Sequence, residues 1–373
     1  MSEGVNRGTV AKNRKKPLWK HIMKGILAVV LVVVLCFVSL LVGLTITEYK
    51  PEPVENVSVK NSVEKTVSSK KPLTILSWNI GYGALGDDAD FFMDGGKSIR
   101  ASNEKRVKKN LTGITTTVDE IQPDIALFQE VDVHSKRSYY IDQQRLLSEA
   151  AAVKKQESAF ATNYKVPFVP YPVPPIGKVE AGIETTSAYH SNDTERIQLP
   201  TPFGWLYRLG NLKRCLLVSR MPIAGSKKEL VVVNLHLEAY DDGKGKAAQT
   251  KKLFDLLNRE IQKGNYVIAG GDFNQTFSST DISGYKQNKE LWKPGLLPVE
   301  KQENKWQFRM DRETPSCRSL DVAYAGANKE SFQYYVIDGF IVSKNIQITQ
   351  CQTIQKEFVH ADHNPVLLKI RLQ

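Results

Sequence analysis

The hydrophobic pattern of this chain changes character twice. From Ile26 to Leu44 it runs without a charge (ILAVVLVVVLCFVSLLVGL), close to the roughly 20 residues a helix needs to cross a bilayer. Past residue 72 the apolar runs become short and alternate with helical periodicity. Leu73-Thr74-Ile75-Leu76-Ser77 reads as a strand delivering Asn79 to a glycine-rich loop, Gly81 to Gly86. Val107, Leu111, Ile114, Val118 and Ile121 recur at steps of four and three, which predicts an amphipathic helix ending before Pro123. Ile125-Ala126-Leu127-Phe128 is the next strand, with Glu130 at its C-terminal end. A second helix is expected from about Gly245 to Lys263, burying Leu253, Leu256, Leu257 and Ile261, with Gly264 as its cap. Strands are expected at 229–237, 266–269, 334–342 and 366–372. The pattern is α/β, with polar residues gathered where strands end.

Charge and composition place this body relative to a membrane. Arg7, Lys12, Arg14, Lys15, Lys16, Lys20 and Lys24 precede the long apolar run against a single Glu3, so the positive-inside bias puts residues 1–25 in the cytoplasm and everything after residue 46 outside. The run exceeds a secretory signal's apolar core, and no small-x-small cleavage site follows, so it reads as an uncleaved anchor at 26–46. Residues 47–71, rich in Lys, Glu, Ser, Val and Pro, read as a flexible linker. Residues 72–373 suffice for one large domain. Of the net charge of +11, residues 1–71 carry about +7, with 12 basic and 5 acidic side chains. The modest remainder argues against a nucleic-acid reading based on charge alone. Cys215, Cys317 and Cys351 lack metal-ligand spacing and allow one bridge at most.

Six short polar motifs flank these strands: Ser77-Trp78-Asn79, Gln129-Glu130-Val131, Asn234-Leu235-His236, Gly271-Asp272-Phe273-Asn274, Ile337-Asp338-Gly339-Phe340 and Asp362-His363-Asn364-Pro365. Side chains two residues apart past a strand end share one side of the chain. Hydrolysis of a phosphoester requires that the charge of its non-bridging oxygens be neutralised, that a water be aimed in line and that the leaving oxygen be stabilised. A hard cation such as Mg²⁺ needs only one or two carboxylates besides waters and substrate oxygens, and Mn²⁺ suits the same oxygen-rich set. Glu130 is the first candidate metal ligand and Asn79 a neutral bridge between metal and phosphate. Asp272 and Asn274 are candidates to orient water, His363 to exchange a proton or donate to phosphate with Asp338 fixing its tautomer, and His236 to supply a further donor.

In this order and with these sequences, Ser-Trp-Asn, Gln-Glu-Val, Asn-Leu-His-Leu, Gly-Gly-Asp-Phe-Asn, Ile-Asp-Gly-Phe and Ala-Asp-His-Asn-Pro-Val, the chain resembles the endonuclease/exonuclease/phosphatase family from about residue 72 to 373. The resemblance implies a four-layer sandwich of two mixed β-sheets flanked by helices, deoxyribonuclease-like, and Mg²⁺-dependent phosphoester hydrolysis. Position by position it implies Glu130 as principal metal ligand helped by Asn79 and Asp362, Asp272 and Asn274 as water-positioning groups, His236 as phosphate stabiliser, and Asp338 with His363 as a coupled pair.

Where nucleases of the family often carry Arg-x-Asp-Tyr, this chain has Val336-Ile337-Asp338-Gly339, which turns the expectation away from nucleic acid. Cys215 to Pro222 keeps a Ser-Arg-x-Pro turn that brings Arg220 forward as a candidate substrate contact. The loop Val166 to Pro175 alternates proline with Phe168 and Tyr171 and is followed by Lys178; Tyr171 and Lys178 are weaker substrate candidates, and packing of the loop on the body is the expected arrangement. Asp87, Asp88, Asp90 and Asp94 lack calcium-loop spacing and read as solvated acids. The expected protein is thus a single-pass enzyme of the cell membrane, facing outward and acting on a lipid head group or small phosphoester, with no protein partner implied. A surface nuclease and a catalytically silent adhesion module are the competing expectations.

Overall fold

The computed structural model describes residues 18–373; the basic residues Arg7, Lys12, Arg14, Lys15 and Lys16 of the expected tail lie outside them. The long apolar run forms one helix, Leu18–Ile46, of 29 residues, long and apolar enough to cross a membrane. It begins before the charge-free stretch because Lys20 and Lys24 are themselves good helix formers. The chain divides into two units, residues 1–47 and 48–373.

Two seven-stranded sheets build the second unit. The first runs in the order Val54–Asn56, Asp193–Gln198, Cys215–Pro222, Glu229–His236, Tyr266–Asp272, Asp338–Ser343 and Trp306–Arg309. The second runs Ile346–Thr353, Val366–Leu372, Leu73–Asn79, Ile125–Asp132, Gly177–Ser187, Glu157–Val169 and Val59–Lys60. Each sheet is antiparallel except for one pair, Glu229–His236 beside Tyr266–Asp272 and Leu73–Asn79 beside Ile125–Asp132. A parallel pair needs a crossover, and the two helices expected from periodicity supply them. Glu104–Ile121 is capped by the Asn103 side chain, and Lys244–Gln262 is followed by Gly264 at φ +81°.

Apolar residues are continuous along the central strands because both faces are covered. Ile75, Ile125, Leu127 and Leu368 meet Val232, Ile268, Phe340 and Val342 between the sheets. The alternate residues point outward: Leu76, Trp78 and Phe128 pack under Val107, Leu111, Ile114 and Val118 of the first helix, and Val231, Val233 and Val267 under Leu253, Leu256 and Leu257 of the second. The order is helix, sheet, sheet, helix, the four-layer deoxyribonuclease-like sandwich.

Polar groups also cross the sheet interface. Gln129 Nε2 donates to Asn234 Oδ1 at 2.8 Å, and Asn234 Nδ2 donates to the Glu184 carbonyl at 2.8 Å. The Glu184 carboxyl is fully buried, and Ser158 Oγ donates to it at 2.6 Å. Burial pushes its pKa up to about 8, with the serine bond opposing only part of the shift. Native protein therefore holds a proton on Glu184 that the unfolded chain, near 4.5, releases. Stability from this site is full below about pH 4.5 and falls as pH rises toward 8, by on the order of 5 kcal/mol in all. Glu184→Gln, which mimics the protonated acid, removes that fall. The melting-temperature difference between variant and parent should grow in the variant's favour from pH 6 to pH 8, and a pH-independent difference would refute the assignment.

The segment 47–71 is not the flexible linker expected from composition. Val54–Asn56 pairs with Asp193–Gln198 at the edge of one sheet, and Val59–Lys60 with Glu157–Val169 at the edge of the other. Val67 bridges Ile223 and is fully buried. Val57, Val59 and Val63 are half-buried and Val67 is fully buried, β-branched positions that suit a half-covered surface; most of the polar residues among them are exposed and dominated the composition. The folded body therefore begins at Glu48 rather than at residue 72. The cysteines form no bridge: Cys36, Cys215, Cys317 and Cys351 are all free.

Candidate active site

Strand register lines up three of the expected groups on the first sheet. Asp272, the last residue of its strand, lies abreast of His236 on the parallel side and of Asp338 on the antiparallel side. Gly271, just before it, has φ +147°, and a Cβ there would lie 1.9 Å from the Leu235 carbonyl oxygen, so only glycine lets the strand turn its aspartate into the cleft. On the second sheet Asn79 ends its strand abreast of Gln129, and Val366, three residues past His363, pairs with Ser77. The same edge of the sandwich thus receives side chains from both sheets.

Glu130 reaches this edge through a bulge. Pairing with the strand Gly177–Ser187 shifts register between Phe128 and Val131, and Glu130 adopts φ +56°. Left-handed backbone at a non-glycine residue stores strain, and a bulge re-aims its side chain. The strand continues to Asp132, so Glu130 lies within the strand rather than at its end.

The groups then meet. Asn79 Nδ2 donates to Asp272 Oδ2 at 3.0 Å and to Glu130 Oε1 at 3.2 Å. His236 Nε2 lies 3.5 Å from Asp272 Oδ2 and 4.0 Å from Glu130 Oε1. His363 Nδ1 lies 2.7 Å from Asp338 Oδ2, and its Nε2 stands 3.9 Å from both Asp272 Oδ2 and Asp362 Oδ2. Asn274 donates its side-chain amide to the Leu237 carbonyl at 2.9 Å, and its backbone N–H to Asp272 Oδ1 at 2.8 Å. Glu130, His236, Asp272, Asn274, Asp362 and His363 line one cleft of about 180 Å³; Asn79 and Asp338 hold its floor through the bonds above.

Four carboxylates in so small a space repel one another, and their ionisation shows it. Burial and then the charge of Asp338 push Asp272 up to about 7; burial, with Glu130 adding to it, brings Asp362 to about 7. Burial drives the His236 imidazole well below its usual value, reinforced by Arg214. Burial also opposes the charge on His363, but the Asp338 carboxylate outweighs it and holds the imidazole well above its ordinary range. One oxygen each of Asp338 and Asp362 and Nδ1 of His236 are buried without a hydrogen-bond partner. Asp272, Asp338 and His363 offer ligand atoms within 4.8 Å of one another, as do Cys317, Asp362 and His363. An oxygen-rich, over-anionic cluster with spare acceptors fits a divalent cation.

The three weaker substrate candidates do not reach the cleft. Arg220 is spent on Asp193, Glu195 and Glu260 at 3.3 to 3.5 Å, because its strand position points it at the helix and the neighbouring strand Asp193–Gln198. Lys178 pairs with Glu180 at 3.7 Å. Tyr171 stands on the loop, 70 % exposed, with an edge contact to Phe92 at 6.1 Å; the loop projects instead of packing, turning over Pro172 to Pro175 and leaving Val173 exposed at its tip. Nor are the early aspartates simply solvated. Asp87 and Asp88 pair with Arg106. Asp94 lines the cleft and accepts from Tyr240 at 3.1 Å, its pKa pushed by burial up to about 6.

Other cleft walls had no motif to mark them. Arg214 pairs with Glu238 at 3.2 Å and donates to the His236 carbonyl. Arg137 is held by Asp132 at 2.9 Å and lies over the Tyr82 ring at 3.8 Å. Trp292 packs edge-on to Tyr335. The run ending Lys213-Arg214 and the glutamate two residues past His236 were the available signals, and neither is distinctive by itself.

A deoxyribonuclease-like sandwich carrying this cluster at one edge defines the metal-dependent phosphoric ester hydrolases. Residues 76–341 match the Endonuclease/Exonuclease/phosphatase family, and the chain belongs to it. Among solved structures it is similar to an endonuclease/exonuclease/phosphatase from Beutenbergia cavernae, at 17 % identity over 81 % of this chain and 72 % of that one with a TM-score of 0.55. It is similar also to the human Nocturnin catalytic domain with bound sulfate anion (14 %, 85 % and 98 %, TM-score 0.50). A functionally unknown conserved protein from Enterococcus faecalis compares equally well (14 %, 81 % and 100 %, TM-score 0.50). Among curated proteins none matches this sequence.

Proposed function

We propose that this protein is a membrane-anchored, outward-facing, Mg²⁺-dependent phosphodiesterase or phosphatase that hydrolyses a lipid head group or another small phosphoester by in-line attack of an activated water. The observation that carries this reading is the meeting of eight polar side chains from both sheets in one cleft with too few positive charges to balance its acids. In this reading Glu130, with Asn79 and Asp362, holds the cation, which when bound neutralises non-bridging phosphate oxygens. Mn²⁺ suits the same ligands. Asp272 and Asn274 orient the attacking water, their mutual hydrogen bond fixing the aspartate's rotamer. Asp338 fixes Nδ1 of His363 so that Nε2 faces the cleft for donation to phosphate or proton exchange. His236, kept neutral by burial, donates to the developing charge.

The preference for a small or lipid phosphoester rests on the cleft's cations. Arg137 and Arg214 are each engaged by an acid, and Arg318, which also lines the cleft, donates to the carbonyls of Gly86, Ala89 and Ser319, so among the described residues the cleft offers no unbroken basic track for a polyanion. The outward orientation rests on the basic residues preceding the helix. The test incubates the full chain in detergent with Mg²⁺ and a panel of plasmid DNA, sphingomyelin, phosphoinositides and an aryl phosphodiester, before and after chelation. Hydrolysis of a lipid or small ester that chelation abolishes and Mg²⁺ restores is expected. Nicking of plasmid as the main activity would replace this reading with a nuclease, and inertness on the whole panel would replace it with a silent module.

A further inference from the structure

Two groups of exposed apolar side chains of the catalytic body flank the cleft. The long apolar helix ends at Ile46. Two residues later Glu48, only 2 % exposed, is clamped by Arg208 at 2.7 Å and Lys213 at 3.3 Å. The chain therefore enters the catalytic body at the surface bearing Arg208. That surface carries a short helical turn, Trp205–Arg208, in which Trp205 and Leu206 are half exposed and Tyr207 is 74 % exposed. The turn runs straight into the cleft wall, where Asn211 and Leu212 line the opening.

A second apolar projection flanks the same opening. On the loop after Glu157–Val169, Tyr171 is exposed and Val173 is 91 % exposed, and Ile176 at its base lines the cleft. Tyr171 touches Phe92, whose neighbours Phe91 and Met93 also line the cleft. Aromatic and aliphatic side chains on a rim match the interfacial layer of a bilayer, where such side chains sit at headgroup depth. Apolar side chains left this exposed on a cleft rim are otherwise a cost in water.

We propose that the turn Trp205–Tyr207 and the ridge Tyr171–Val173 dock the rim of the cleft onto the surface of the same bilayer that holds the helix, so that the phosphoesters nearest the site are lipid headgroups. This rests on the anchor reading above and adds to it a definite contact surface. The full chain is inserted into phosphatidylcholine/phosphatidylglycerol vesicles containing nitroxide-bearing lipid, with Cys36→Ala and a fluorophore on Tyr207→Cys, Val173→Cys or, as control, Lys227→Cys. Lys227 precedes the strand Glu229–His236 and so stands at the end of the sheet opposite His236. Emission at 173 and 207 falls about two-fold relative to vesicles without nitroxide, while emission at 227 is unchanged. Unquenched emission at 173 and 207, in vesicles that keep the protein through an alkaline wash, overturns the docking surface alone. Release of the protein by that wash overturns the anchor and the docking surface together.

Discussion

Glu130→Gln is expected to lower hydrolysis by about 10³-fold at saturating Mg²⁺ and to weaken cation binding measured by calorimetry, because it deletes the one candidate ligand that a strained bulge exists to aim. The substitution should not harm the fold. Its amide oxygen can still accept from Asn79, as Oε1 of Glu130 does at 3.2 Å, and the side chain is partly exposed at the cleft. Removing one of four crowded carboxylates should raise the melting temperature of the metal-free protein slightly, since Glu130 adds to the repulsion that lifts Asp362. Loss of activity with a lower melting temperature would mean that the glutamate is structural. Full activity would remove it from the site altogether.

His363→Ala and Asp338→Asn form the second large effect. Asp338 lies 2.7 Å from Nδ1 of His363 and directly opposite Asp272 in the strand register. An asparagine keeps the shape but loses the charge, and can present its N–H to the imidazole, which reverses the tautomer. Each single change should cost about 10² to 10⁴-fold in kcat, and the double variant about as much as the worse single one, since groups acting as a unit lose their effect once. Additive losses in the double variant would show that the two residues act separately. The buried carboxylate left by His363→Ala also loses its counter-charge, so that variant alone should melt lower.

Much of this arrangement was legible before folding because its signals are local. A charge-free run, a helix stripe at Val107 to Ile121, and short polar motifs at strand ends depend on neighbours a few residues away. The motifs at 79, 130, 236, 272, 338 and 362–363 could be taken as one set because strands of one sandwich bring their ends to a common edge. Contacts without such periodicity escaped. The bulge at Glu130 depends on its partner strand Gly177–Ser187, and the fate of Arg220 on a neighbouring strand and a helix. The clamp on Glu48 depends on Arg208, 160 residues away. The segment 47–71 misled because composition averages over the solvent-facing half of an edge strand.

By itself, then, the order of residues determined a long apolar helix, a basic segment before it, an α/β sandwich and the chemical types at its site, since hydrophobic periodicity and side-chain chemistry are properties of short stretches. Folding alone decided which cations are neutralised, where the aromatic ridge and turn emerge, and that the body begins at Glu48. Those outcomes turn on strand register and on distances between groups far apart in the chain, and a shift of one residue in pairing would reverse each of them.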